Sequence, residues 1–292
     1  MADLLAGERP VTAAGPVDAV PPVTVVEATR GWRALDLGEL WSYRELVYFL
    51  AWRDVKVRYK QTALGVAWVV LQPLAAMAIF SVVFGRLAQL PSDGAPYPLF
   101  VFAGLVPWFY VANATSNASS SLVANTNLIS KVYFPRLVVP LAAVLAGLVD
   151  LAIGLVLELV LLLAVGVPPS PRLLLLPLLV ALMVLIALGI GIWLSALDVQ
   201  YRDVRYAIPF LMQLWLFVTP VVYSTSGFPE RWRAVLGVNP MAGVVESFRW
   251  ALLGTADLPL GLLGSGSLVA VVLLGTGLLY FRRMERVFAD VI

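Results

Sequence analysis

The sequence predicts an all-α, polytopic membrane protein: six transmembrane helices, an amphipathic interfacial helix before the first, and two short re-entrant helices before the last. Three observations carry this expectation. Of 292 residues, 61% are hydrophobic and 13% charged, and the mean hydropathy is +0.90, far more apolar than a soluble domain of that length. The apolar residues gather into six uninterrupted segments, at 66 to 89, 97 to 122, 138 to 166, 173 to 197, 205 to 223 and 262 to 281. Each approaches the roughly 20 residues that a helix needs to cross about 30 Å of hydrocarbon. Finally, Arg53, Lys56, Arg58 and Lys60 stand just ahead of the first segment, and such a cluster stays in the headgroup region.

An even number of spans returns both termini to one side. Near the spans, twelve Lys and Arg fall on the side of the N-terminus: Arg44, Arg53, Lys56, Arg58, Lys60, Lys131, Arg136, Arg202, Arg205, Arg282, Arg283 and Arg286. Five fall on the other: Arg86, Arg172, Arg231, Arg233 and Arg249. The excess of basic residues on cytoplasmic loops therefore predicts both termini in the cytoplasm. Residues 1–38, rich in Ala, Val, Pro and Gly, read as a flexible cytoplasmic tail with no signal-peptide pattern. Residues 39–62 form the interfacial helix, 63–281 the six-span domain and 282–292 a cytoplasmic C-terminal tail.

In the interfacial helix, Tyr43, Val47, Leu50 and Val57 share one helical stripe, and Arg53, Lys56 and Lys60 share another. Asp54 interrupts the apolar stripe. The cations either anchor the helix to the leaflet or also receive an anionic lipid-linked ligand. The second span divides into an apolar half, Leu99 to Tyr110, and a polar half that carries Asn113, Thr115, Ser116, Asn117, Ser119, Ser120 and Ser121. That polar half must face protein or water, as interhelical hydrogen-bond glue or as the lining of a hydrophilic conduit. Asp150 and Glu158 in the third span lie roughly 80° apart around a helix, and both should face the bundle, since neither suits lipid. No His and no intramembrane Lys or Arg offers them an obvious partner. Small residues at Ala143 and Gly147, and at Gly189 and Gly191, suit close helix packing. Between the fifth and sixth segments, 228–254 reads as two short amphipathic helices broken at Asn239-Pro240.

Much chemistry is excluded. The chain has no Cys and no His, which removes disulfides, thiolate metal sites and the usual metal ligand and proton carrier at neutral pH. No phosphate-binding glycine loop, paired-carboxylate arrangement or nucleophile-base pair stands out. No catalytic residue, no metal site and no cofactor is predicted in this chain. If it drives uphill movement, the energy comes from a partner or from an ion gradient.

Four ordered blocks carry a family resemblance: Trp52-Arg53-Asp54-Val-Lys56-Val-Arg58-Tyr59-Lys60-Gln61 through Gly65-Val-Ala-Trp68 to Leu71-Gln72-Pro73; Asn127 to Arg136; Asn239-Pro240-Met241 with Glu246-Ser-Phe248-Arg249; and Phe281-Arg282-Arg283-Met284-Glu285. Together they resemble the membrane-spanning permeases of ABC transporters that export lipid-linked polysaccharides such as O antigens, capsules and teichoic acids. The resemblance covers about 39 to 292. It implies a homodimer in the inner membrane of a bacterium, bound to two cytoplasmic ATP-binding subunits that hold ATP and Mg. It assigns 127–136 as the coupling helix, with Lys131, Val132, Tyr133, Phe134 and Arg136 meeting the ATPase.

The same resemblance makes 228–254 the extracytoplasmic gate, with Arg231, Trp232, Asn239, Pro240, Glu246 and Arg249. An undecaprenyl-pyrophosphate-linked polysaccharide, in the first place an O antigen, is the expected cargo, and Arg53, Lys56, Arg58 and Lys60 would receive its headgroup. Sugar rings present apolar C–H faces, so aromatic side chains give weak, repeated holds along a conduit. Trp68, Phe80, Phe84, Trp108, Phe109 and Tyr110 are the aromatic candidates for its lining, with Asn113 and Asn117 as polar ones. No nucleic-acid partner is expected. Two other readings stay open: a gradient-driven flippase of lipid-linked glycan, and a membrane-embedded glycosyl- or acyltransferase.

Overall fold

The computed structural model describes residues 37–60, 65–201, 203–254 and 257–291. The predicted tail lies outside them up to residue 36, as do Gln61 and Arg202 and the side chain of Arg286. Among the described residues every regular element is helical, with no strand.

A short helix α1 (Leu37–Ser42) leads into α2 (Arg44–Lys60), which has Glu45 in its first turn and Arg58 and Lys60 in its last. Both ends complement the helix dipole. Helix α2 buries Val47, Leu50 and Val55, whereas Tyr48, Phe49, Trp52 and Val57 are exposed. The buried stripe therefore turns toward Val55 instead of the expected Val57. It packs against α6, and protein rather than lipid covers it.

Among the described residues five helical stretches are long and apolar enough to cross a membrane: Ala67–Leu87, Tyr97–Ala124, Val138–Val165, Pro171–Gln200 and Leu260–Glu285. The first joins α3 (Gly65–Phe80) to a wide π-helical turn, Ser81–Leu87. The second is α4 (Tyr97–Ala124), followed by the single turn α5 (Thr126–Ile129). The third is α6 (Val138–Ala146) and α7 (Leu148–Val165), meeting at Gly147. The fourth is a 3-10 turn, Pro171–Leu175, running into α8 (Leu176–Gln200).

The predicted span at 205–223 is shorter than the others, as α9 (Val204–Val218) of 15 residues. Its end is fixed locally. Pro220 disfavours helical backbone in the residue before it, and Thr219 is extended at φ −86°, ψ 136°. Fifteen residues rise about 22 Å, less than the hydrocarbon core. The chain then continues irregularly with Thr219, Val221, Val222, Ser224 and Thr225 buried. Helices α10 (Glu230–Leu236) and α11 (Pro240–Leu253) follow, and α12 (Leu260–Val291) closes the chain. The expected C-terminal tail at 282–292 continues α12 as helical backbone through Val291.

Helix α4 is the centre of the bundle, contacted by α3, α6, α7, α8, α9 and α11. Its polar half is satisfied mostly within itself. The hydroxyls of Ser116, Ser119 and Ser121 donate to the carbonyls of Ala112, Ser116 and Ala118, each at 2.7 Å. Such back-bonding frees small side chains for close packing without demanding a partner helix. Helix α8 uses that closeness: a Cβ on Gly191 would stand 2.7 Å from Ala118 Cβ, and one on Gly189 would stand 2.9 Å from the Leu274 nitrogen of α12.

Candidate functional site

A cavity of about 370 Å³ opens among α2, α3, α4 and α7. It is lined by Arg58; by Trp68, Val69, Gln72 and Pro73 from α3; by Val106, Phe109, Tyr110, Asn113 and Asn117 from α4; and by Gly147, Asp150, Leu151 and Gly154 from the third span. The helical spacing explains the α4 contribution, because residues 106, 109, 110, 113 and 117 recur at three or four and so fall on one face. Sequence reasoning named Arg58 for the headgroup and Trp68, Phe109, Tyr110, Asn113 and Asn117 among the lining candidates, and these six line the one cavity. Three aromatic rings, three side-chain amides and one ion pair share one wall.

That ion pair stands at the rim. Arg58 Nη1 pairs with Asp150 Oδ2, and the Tyr59 hydroxyl donates to Asp150 Oδ1. Burial, reinforced by the bond to Asp150, pushes the Tyr59 phenol up, so that it remains a donor at neutral pH. Asp150 thus has the cationic partner that the sequence did not reveal, because the partner comes from the interfacial helix and not from another span. Glu158 is fully buried in the bundle, with no hydrogen-bond partner for either carboxylate oxygen among the described residues.

The other predicted cations stand differently. Arg53 Nη2 bonds Asp54 Oδ1 and Asn125 Oδ1, both at 2.8 Å, which ties α2 to the end of α4. Lys56 is exposed, with its Nζ 5.6 Å from the Trp52 ring centroid. Lys60 is exposed at the helix end. Three predicted lining aromatics lie away from the cavity wall. Trp108 is buried edge-to-face on Trp215, with centroids 5.2 Å apart. Phe80 and Phe84 pack on each other at 5.7 Å and against the core.

The segment 127–136 is helical only through Ile129, as the last three residues of the single-turn α5. Lys131, Val132 and Tyr133 are exposed, and Tyr133 is 71% accessible. Phe134, at 5%, is buried in a cluster with Val47, Leu50, Leu122 and Phe281. Arg136 Nη1 donates to the Glu285 carbonyl at 2.5 Å. The segment therefore divides its aromatic pair: Phe134 seats it on α2 and α12, and Tyr133 faces outward.

At the opposite end, α10 exposes Arg231 and Trp232, whereas α11 is almost wholly buried. Asn239 caps α11 by accepting from the Met241 nitrogen at 3.0 Å and from Trp215 Nε1 at 3.0 Å, with Pro240 in the first turn. Arg249 is 1% exposed. Its guanidinium donates to the carbonyls of Phe100 (3.1 Å), Val221 (2.6 Å) and Tyr223 (3.3 Å), and to Glu246 Oε1 (3.4 Å). Glu246 in turn accepts from the Thr225 nitrogen at 3.1 Å. Burial pushes the Glu246 carboxyl up, against the opposing pull of Arg249. This is a clamp on irregular backbone: the carbonyls of 221 and 223, which the short α9 leaves without helical partners, are taken by one side chain. Arg249, one of the five basic residues that the sequence assigns to the outer side and to the gate, is thus a buried side chain held by backbone.

Sequence reasoning did not bring Tyr59 or Gln72 into the site, and it left Asp150 without a role. The signal for Gln72 was present, since an amide in the middle of an apolar span seeks a polar wall. Tyr59 carried no such signal.

Residues 45–253 match the family described as ABC-2 type transporter. The chain is 30% identical over 215 residues to "O-antigen export system permease protein RfbA" of Myxococcus xanthus, covering 72% of this chain and 81% of that protein. It is 28% identical over 251 residues to the protein of the same name from Klebsiella pneumoniae, covering 85% and 95%. With "Polysialic acid transport protein KpsM" of Escherichia coli it shares 23% over 202 residues, covering 69% and 78%. A match over more than half its length makes this chain a member of the ABC-2 type transporter family.

Proposed function

We propose that this chain is the permease subunit of an ABC exporter that moves an undecaprenyl-pyrophosphate-linked polysaccharide, in the first place an O antigen, across the inner membrane of a bacterium. Two copies form the conduit, and two cytoplasmic partner subunits hydrolyse ATP with Mg. Both termini face the cytoplasm. Helix α9, continued by the clamped chain at 219–225, serves as the fifth of six crossings, and α10 with α11 dips into the outer interface as the gate.

The observation that carries the reading is the cavity, where Trp68, Phe109 and Tyr110 stand beside Gln72, Asn113 and Asn117. Rings offer faces to the C–H surfaces of sugars, and amides both donate to and accept from hydroxyls. Such a wall holds a polyhydroxylated chain weakly at many points, as sliding requires. The names of the relatives support the same cargo class. Power would arrive through the exposed Tyr133, with Phe134 and Arg136 passing the motion to α2 and α12.

Membrane vesicles with the cytoplasmic face outward, carrying this chain and its ATPase subunit, test the proposal. Lipid-linked polymer supplied outside should become protected inside only when ATP is present. Protection that persists without ATP but collapses with the ion gradient would instead support the gradient-driven reading.

A further inference from the structure

The last turn of α2 meets the third span at the Asp150 carboxylate. Arg58 takes one oxygen of Asp150 and the adjacent Tyr59 takes the other. The apolar seat of α2, at Val47, Leu50 and Val55, lies further back along the helix. The tie sits at the rim of the cavity, which both Arg58 and Asp150 line. Neither member is sealed off, with side chains 32% and 19% accessible.

A guanidinium and a hydroxyl converging on two oxygens of one anion is also a donor set for phosphate. We propose that Asp150 is a built-in surrogate for the pyrophosphate headgroup: it occupies Arg58 and Tyr59 in the resting protein, and the headgroup displaces it, releasing the end of α2 from the third span and opening the cavity to the first sugar. The inference rests on the exporter reading given above.

Charge favours the exchange. The pyrophosphate of a lipid-linked glycan, esterified at both ends, carries about two negative charges in all against one on Asp150, and the exposed Lys56 and Lys60 on the same helix add to the attraction for the larger anion. The displaced carboxylate does not face lipid. It stays on a wall that also carries Gln72 and Asn113, which lowers the cost of an intramembrane charge.

The chain has no native Cys, so Val57→Cys, at an exposed position, accepts a single environment-sensitive fluorophore on α2. The labelled protein, assembled with its ATPase subunit in phosphatidylcholine nanodiscs, is titrated with undecaprenyl pyrophosphate. Binding should shift the label's emission. Asp150→Asn should show the shifted emission before any addition, and should bind the probe about five- to tenfold more tightly, because displacement no longer opposes binding. Arg58→Gln should abolish the response.

Several results would overturn the proposal. One is an Asp150→Asn protein that binds no more tightly than the parent; another is a parent that binds the probe with no change at the label, a measurement that stands even if Asp150→Asn fails to assemble. An equal response to phosphatidylglycerol would also overturn it. Absence of probe binding in every background would remove the exporter reading as well, whereas binding with an unaltered Asp150→Asn affinity would remove the surrogate alone.

Discussion

Substituting Arg249 with Met preserves most of the side-chain length and removes every donor. Three backbone carbonyls and the Glu246 carboxylate would then lack their partner at a site 1% exposed. Removing one member of a buried ion pair costs about 3–5 kcal/mol, and an orphaned buried carbonyl adds roughly 1 kcal/mol or more. These losses share one local relaxation and do not add. The expected destabilisation is therefore about 3–5 kcal/mol, a Tm fall on the order of 10 °C. An exposed gate charge would lose at most about 1 kcal/mol. Thermal unfolding in nanodiscs, followed by intrinsic fluorescence and by retention of the ATPase subunit, measures the difference. Adding Glu246→Leu to Arg249→Met should recover part of the loss by removing the stranded carboxylate. A loss below about 1 kcal/mol for Arg249→Met, or a double variant less stable than the sum of the singles, would refute the clamp.

The coupling segment makes a divided prediction: Phe134→Ala should destabilise the protein by about 3–5 kcal/mol as a buried aromatic truncation, whereas Tyr133→Ala should leave stability within about 1 kcal/mol of the parent's and uncouple ATP hydrolysis from export. Measured Tm and ATPase stimulation separate the two, and equal effects would contradict the inward and outward assignment. Gly191→Val should cost about 1–3 kcal/mol, because its Cβ would meet Ala118 at 2.7 Å and force α4 from α8; a Tm equal to the parent's would count against that contact. Replacing Asn113 and Asn117 together with Leu should leave Tm nearly unchanged, since one is exposed and the other only half-buried, while the rate of polymer protection in vesicles falls. Unchanged transport would remove the amides from the conduit wall.

How much of this was legible depended on whether the signal was local. Five apolar stretches could be read directly, because crossing hydrocarbon requires length and apolarity in one continuous run. The break at Asn239-Pro240 was legible for the same reason, as it is set within a few residues. The shortening of α9 had its signal too, in Thr219-Pro220, but hydropathy runs through Val221 and Val222 and hides it. The serines of α4 could be read as polar yet not as self-bonded, since the choice between a neighbouring helix and the helix's own carbonyl depends on how near the neighbour comes.

By itself the sequence determined the class of this protein, the five long apolar helices and the basic approach to the first span. Only the tertiary structure decided which aromatics line the cavity and which fill the core, which of Tyr133 and Phe134 faces outward, and that Asp150 answers to Arg58 across 92 positions of chain. Composition and periodicity act over a few residues of one helix. Ion pairs and cavity walls are made where separate helices meet, and their partners are chosen by packing that no single segment encodes.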